Sequence, residues 1–187
     1  MPILEEPTAS VGGPTADSRG SLLTCYIIEL LALAVWIGGL VVIIASVIPA
    51  VFNTIGMEAG GRLLTRVFSG YNHLLGGAIV ALTASAGWRV WLATARQLTE
   101  AAFTRWELAL TTLMIVIAAA ITLVVGPTSA QLQEEAFAAL NENARKAAYT
   151  AFFKTHQVVR ALYVVNLALA IALVTVKVNM WVKRNPE

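Results

Sequence analysis

The sequence predicts an all-α fold: a polytopic membrane four-helix bundle with an additional amphipathic helix between the third and fourth spans. Three observations predict it. Of 187 residues, 58% are hydrophobic and only 13% charged, where a soluble domain carries roughly a quarter charged residues. Mean hydropathy is +0.73. Four apolar runs are each long enough to cross a hydrocarbon core of about 30 Å, which takes roughly 20 helical residues. An open sheet cannot satisfy its backbone in lipid, and the runs lack the alternation of a barrel, so the spans are helices.

Residues 1–20 are rich in Pro, Gly, Ser and Thr and lack the basic start and cleavage site of a signal peptide. They read as a flexible or partner-bound tail ahead of a bundle over 21–187. The first span is expected over 22–51, with Pro49 kinking or closing its far end. Within it Glu29 is an ionisable residue in an apolar run, so it should face the bundle and pair. Arg89, Arg105 and Lys177 are its candidate partners, and a proton-relay role is the alternative. Cys25, the single cysteine, excludes an intramolecular disulfide and reads as a small buried apolar residue. Trp36-Ile37-Gly38-Gly39 sets a ring beside two glycines, which lets a neighbouring helix approach closely.

Residues 52–64, punctuated by Gly56, Gly60 and Gly61, are expected to form a loop. The second span follows over 65–95, where Gly77, Ala81 and Ser85 make a small-residue ridge for helix packing. The third span, 106–125, is expected to stop at Gly126-Pro127. The next stretch, 128–147, reads as an amphipathic helix capped by Thr128 or Ser129, with Leu132, Ala136, Phe137 and Leu140 on one face. The fourth span covers 148–184, and its first turns stand in the interface. Trp88, Trp91, Trp106 and Trp181 gather at one end beside Arg89, Arg96, Arg105, Lys177, Lys183 and Arg184. This basic, aromatic end is expected in the cytoplasm with both termini.

The net charge of +2 is small and dispersed, with no basic run of the kind that grips nucleic acid. No nucleophile–base pair, phosphate-binding glycine loop or metalloprotease motif is present, so no enzyme is expected.

The chain's two histidines, His73 and His156, open the second and fourth spans at the same end, on helices that run in the same direction. They are therefore candidates to clamp one metal between facing helices, as axial histidines hold haem iron. His156, Arg160 and Tyr163 recur at i, i+4 and i+7 and share a helix face. Arg160 suits a propionate, a lipid head group or an anionic substrate. Asn72 and Asn166 are further candidate buried polar residues. The competing reading makes both histidines interfacial groups bonded to backbone or lipid, with Arg160 paired to an acid such as Glu58. Zinc and copper are poorly served by two histidines, scattered glutamates and Met57.

The segments Val35-Trp36-Ile37-Gly38-Gly39-Leu40, Ile48-Pro49-Ala50-Val51-Phe52, Glu58-Ala59-Gly60 and Val67-Phe68-Ser69-Gly70-Tyr71-Asn72 resemble a bacterial four-helix membrane family of unknown function. That family is similar to vertebrate transmembrane protein 205 and, more loosely, to the copper-resistance D membrane domain. The likeness spans about 25–170 and includes Gly126-Pro127 and the run from His156 to Asn166. It implies the fold and a bacterial inner membrane rather than an activity. Copper handling would come only from the distant relative, whose methionine-rich or multi-histidine clusters are missing here.

The expected function is that of a non-enzymatic accessory subunit in a larger membrane complex, one engaged in electron transfer being a possibility. It would lie among lipid and other membrane subunits, with haem b or another tetrapyrrole as a ligand of His73 and His156. The alternative is a free-standing small transporter or metal-tolerance protein, whose path would join Glu29 to the outer mouth.

Overall fold

The computed structural model describes residues 16–184, and every element among them is helical. Four helical stretches are long and apolar enough to cross a membrane: Ser18–Ile55, Met57–Ala95, Thr99–Ala138 and Glu142–Lys183. The first comprises α1 (Ala16–Val42), a π-helical turn (Ile43–Val47) and α2 (Ile48–Ile55). The second is α3 (Met57–Ala95), followed by a short 3-10 turn, Thr99–Ala101. The third comprises α4 (Arg105–Ala120), a π-helical turn (Ile121–Val125) and α5 (Gly126–Ala138), and the fourth is α6 (Glu142–Arg184). The expected tail over 1–20 lies outside the described residues up to 15; from Ala16 onward the chain is already helix.

Two expected breaks are absent, and the backbone shows why. Neither Pro49 nor Gly126-Pro127 stops its helix. A proline removes one amide hydrogen bond and drives its ring against the carbonyl four residues earlier. In both helices that carbonyl, on Ala45 or Leu123, lies inside a π-helical turn. Widening to an i→i−5 bond, Ile48 N–H to Ile43 O and Gly126 N–H to Ile121 O, carries the helix past the proline. Thr128 is therefore no cap. Its hydroxyl donates back to Val124 O within a continuing helix.

The expected loop over 52–64 contracts to one residue. Gly56 adopts φ +79° between α2 and α3, an extended conformation at positive φ that is essentially confined to glycine and costs other residues about 1–3 kcal/mol. Gly60 is a packing residue, since a Cβ there would lie 3.1 Å from both Val51 and Phe52. The true break after α5 comes at 139–141. Asn141 Oδ1 accepts from Asn143 N–H at 2.9 Å to start α6. That places Arg145 and Lys146 in the first turns of α6, and leaves Leu140 outside α5 and fully exposed.

Helix α1 packs on α3, α4 and α5 pack on α6, and α1 joins the two pairs through α6. The core runs along the bundle through Leu33, Trp36, Leu40, Leu75, Met114, Ile121 and Leu173. Tyr71 lies across α1 because Gly39 has no side chain; a Cβ there would come within 2.9 Å of the Tyr71 ring. The Tyr71 hydroxyl donates to Trp36 O at 2.9 Å. Gly38 has nothing within 4 Å.

The two pairs repeat one another. Glu29, a π-helical turn and Pro49 follow in α1–α2 at the same spacings as Glu107, a π-helical turn and Pro127 in α4–α5. Each acidic helix is followed by one long helix with a basic residue near its end, Arg89 in α3 and Lys177 in α6. The spans thus form two hairpins that enter the bundle in the same sense, the arrangement of a parallel repeat about an axis along the membrane normal.

Candidate functional site

Every span contributes one charge to a single buried cluster. Glu29, Arg89, Glu107 and Lys177 are 1%, 0%, 0% and 3% exposed. Arg89 Nη1 donates to Glu29 Oε2 at 3.1 Å and to Glu107 Oε1 at 3.2 Å. Lys177 Nζ donates to Glu107 Oε1 at 3.1 Å and also to Glu29 Oε2. Acids and bases therefore alternate around a closed ring in which each acid serves both bases.

Local chemistry fixes each member. Ser85, one turn before Arg89, donates to Glu29 Oε1 at 3.0 Å. Glu107 sits at N3 of α4 in a capping box: Thr104 Oγ1 accepts from Glu107 N–H at 3.2 Å, and Glu107 Oε2 accepts from Thr104 N–H at 3.1 Å. Its other carboxylate oxygen serves the ring. The Arg89 guanidinium lies 3.9 Å from the Phe103 ring centroid and 4.7 Å from that of Tyr26. Its Nε donates to Ala101 O at 3.3 Å, and Nη2 donates to the Tyr26 hydroxyl at 3.3 Å.

The ring is closed at both ends. On the near side the α3–α4 connection folds back beneath the bundle, burying Leu98 and Ala101 against Leu22 and Leu92, with Gln97 at φ 53° and Leu98 N–H bonded to Leu92 O. On the far side Leu33, Leu82 and Leu173, then Trp36, Ala78, Met114 and Ala170, fill the next layers. The arrangement can hold four helix ends together, and its charges sum to zero.

Sequence reasoning placed Glu29 inside the bundle and named Arg89 and Lys177 among its partners. The third named partner, Arg105, instead stands 6.0 Å from the Trp106 ring. The sequence also sets Arg89 and Lys177 among the tryptophans of the interfacial belt, yet both are buried. Glu107 was missed, although Thr104-x-x-Glu107 is a legible capping-box signature that marks where the carboxylate must sit.

The histidine-bearing end is organised differently. His73 is exposed, its Nδ1 2.8 Å from Ser69 O of its own helix. His156 is half-buried and stacks on Phe152, with ring centroids 5.3 Å apart. Among the described residues no hydrogen bond or ring contact joins the two histidines, and no group of three His, Cys, Asp or Glu residues is placed to hold a metal. Tyr163 is what connects α3 and α6 here. Its hydroxyl donates to Asn72 Oδ1 at 3.2 Å, and its ring centroid lies 5.4 Å from that of Phe68.

Arg160 is exposed, and Glu58 pairs with Arg62, which also pairs with Glu134 at 3.2 Å. Asn166 is 1% exposed, with its Oδ1 unpartnered among the described residues. Of the expected packing ridge only Ser85 is buried. Gly77 and Ala81 line an open apolar groove with Ile28, Leu31, Val35 and Leu74.

The family described as a domain of unknown function, DUF4149, matches residues 31–138. The matched stretch includes Arg89 and Glu107, begins just after Glu29, and ends before the fourth span that carries Lys177. No curated protein and no solved structure matches the chain.

Proposed function

We propose that this chain, which belongs to the DUF4149 family, serves as a non-enzymatic accessory subunit of a larger membrane complex. The observation that carries the reading is the apolar surface at the end remote from the charge ring. Helix α6 has 43 residues, about 64 Å at 1.5 Å per residue, against a hydrocarbon core of about 30 Å. Measured from the tryptophan belt, α2, α5 and the first turns of α3 and α6 rise beyond that core. There Met57 is 70% and Leu140 104% exposed, and Phe52, Ile55 and Phe153 are exposed with them. Apolar side chains standing clear of the hydrocarbon fit a neighbouring subunit. The four buried charges, by contrast, are consumed in joining the four spans.

The test is photo-crosslinking in native membranes from positions 57, 140 and 153, with lipid-facing Val116 as the control. Discrete adducts with one other membrane protein from the three outer positions, absent from Val116, are expected. Adducts with lipid alone would overturn the reading. The orientation that goes with it places the tryptophan-rich end and both termini in the cytoplasm of a bacterial inner membrane, on the distribution of Lys and Arg.

A second reading rests on His73. Its Nδ1 is tied to Ser69 O, which leaves Nε2 as the outward ring nitrogen, the atom a haem iron takes. His156 would be the second residue to hold such a group, and Arg160 would offer a cation to its carboxylates. The absorption spectrum of purified protein tests it: a Soret band lost in both His73→Ala and His156→Ala is expected, and colourless wild-type protein overturns it. A transport path from Glu29 to the outer mouth has less support, because Leu33, Trp36, Leu40 and Met114 occupy that axis.

A further inference from the structure

The tryptophan-rich end carries a second polar feature, separate from the charge ring. A cavity of about 230 Å³ opens between the start of α1 and the end of α3, lined by Ser18, Ser21, Trp88, Trp91, Leu92 and Arg96. Its walls are half apolar and half polar in character. The Trp88 and Trp91 rings lie 4.9 Å apart, and the Arg96 guanidinium stands 5.4 Å from the Trp91 centroid. Arg96 is exposed and enters none of the ion pairs found among the described residues, whereas Arg62 and Arg89 each hold two carboxylates.

Position decides what such a cavity can take. Tryptophan pairs of this kind mark the membrane–water boundary, and Arg96 lies one turn beyond Leu92, on the aqueous side. A group that settles here must be anionic at the Arg96 end and apolar at the indole end. We propose that this cavity binds the phosphate of an anionic phospholipid head group. Arg96 pairs with the phosphate oxygens, the Ser21 hydroxyl donates to them, and the two indoles lie against the glycerol and the first methylenes. Arginine suits phosphate through its planar fork of donors.

The test is native mass spectrometry of the full chain released from detergent micelles doped with phosphatidylglycerol. Wild type is expected to retain one phosphatidylglycerol, and phosphatidylcholine is expected to be retained less. Arg96→Ala should lower the bound fraction about fivefold, the worth of one basic residue near an anionic surface. Arg96→Glu should abolish binding, and Arg96→Lys should restore part of it. Arg105→Ala, on the same belt outside the cavity, should leave it unchanged. Melting temperatures near that of wild type establish that each variant folds. Three results would overturn the proposal: Arg96→Glu retaining phosphatidylglycerol as wild type does, Arg105→Ala losing it equally, or inorganic phosphate displacing the lipid, which would make the site one for a free anion.

Discussion

Removing the ammonium of Lys177 leaves two carboxylates, Glu29 and Glu107, buried around the single cation Arg89. A buried charge stripped of its partner costs about 3–5 kcal/mol, whereas exchanging a whole neutral pair for apolar groups costs far less. Lys177→Met and Glu107→Gln should therefore each destabilise the protein by about that amount, and the double variant by clearly less than their sum. Denaturant unfolding in mixed micelles, run as a double-mutant cycle, measures it; additive losses would show Lys177 and Glu107 to be independent. Arg89→Lys keeps the charge but loses the donors to Ala101 O and the Tyr26 hydroxyl, so it should still cost about 1–3 kcal/mol in the same assay. At this scale the sequence was half legible. A glutamate flanked by leucines and isoleucines at position 29 must pair, but arginine beside Trp88 and lysine near Trp181 look like residues reaching for the interface. Only the return of the α3–α4 connection beneath the bundle, with Phe103 across Arg89, makes them interior.

Among the elements, the misread positions are the glycines and prolines. The usual rules treat both as chain breakers, and in a membrane helix that inference weakens because a π-helical turn can absorb a proline without ending the span. Glycine has three uses here that composition cannot separate: reversal at Gly56, close approach at Gly39 and Gly60, and an open lipid-facing surface at Gly38 and Gly77. These uses predict different responses to one substitution. Gly39→Ala forces the buried Tyr71 ring to shift and should cost about 1–3 kcal/mol. Gly56→Ala should cost about 1–3 kcal/mol through its positive φ, and Gly38→Ala should be neutral or stabilising by up to about 1 kcal/mol. Unfolding midpoints of the three variants separate them, and equal losses at positions 38 and 39 would contradict the packing described.

At the scale of the molecule, four spans and their order were legible because each apolar run exceeds the thickness of a bilayer. The relation between the halves was not, because it resides in four polar residues and two prolines scattered through otherwise similar apolar text. In structure that relation is direct: each hairpin contributes one acid and one base to the ring, a pair whose charges cancel, and each acid also holds the other hairpin's base. The contacts that join the hairpins are therefore Arg89 to Glu107 and Lys177 to Glu29, together with the packing of α1 on α6. Cutting the chain between buried Ala101 and exposed Ala102 leaves all the helices of both hairpins complete. Co-expressed as two pieces, 1–101 and 102–187, they should associate in the membrane and co-purify in mild detergent, since each hairpin inserts with its buried acid and base paired and helix association follows insertion. Glu29→Gln in the first piece, or Lys177→Met in the second, should reduce recovery of the partner at least tenfold by leaving a buried charge unpaired at the junction. Recovery unchanged by both substitutions would assign the joining of the halves to apolar packing and leave the ring with a role inside each hairpin alone.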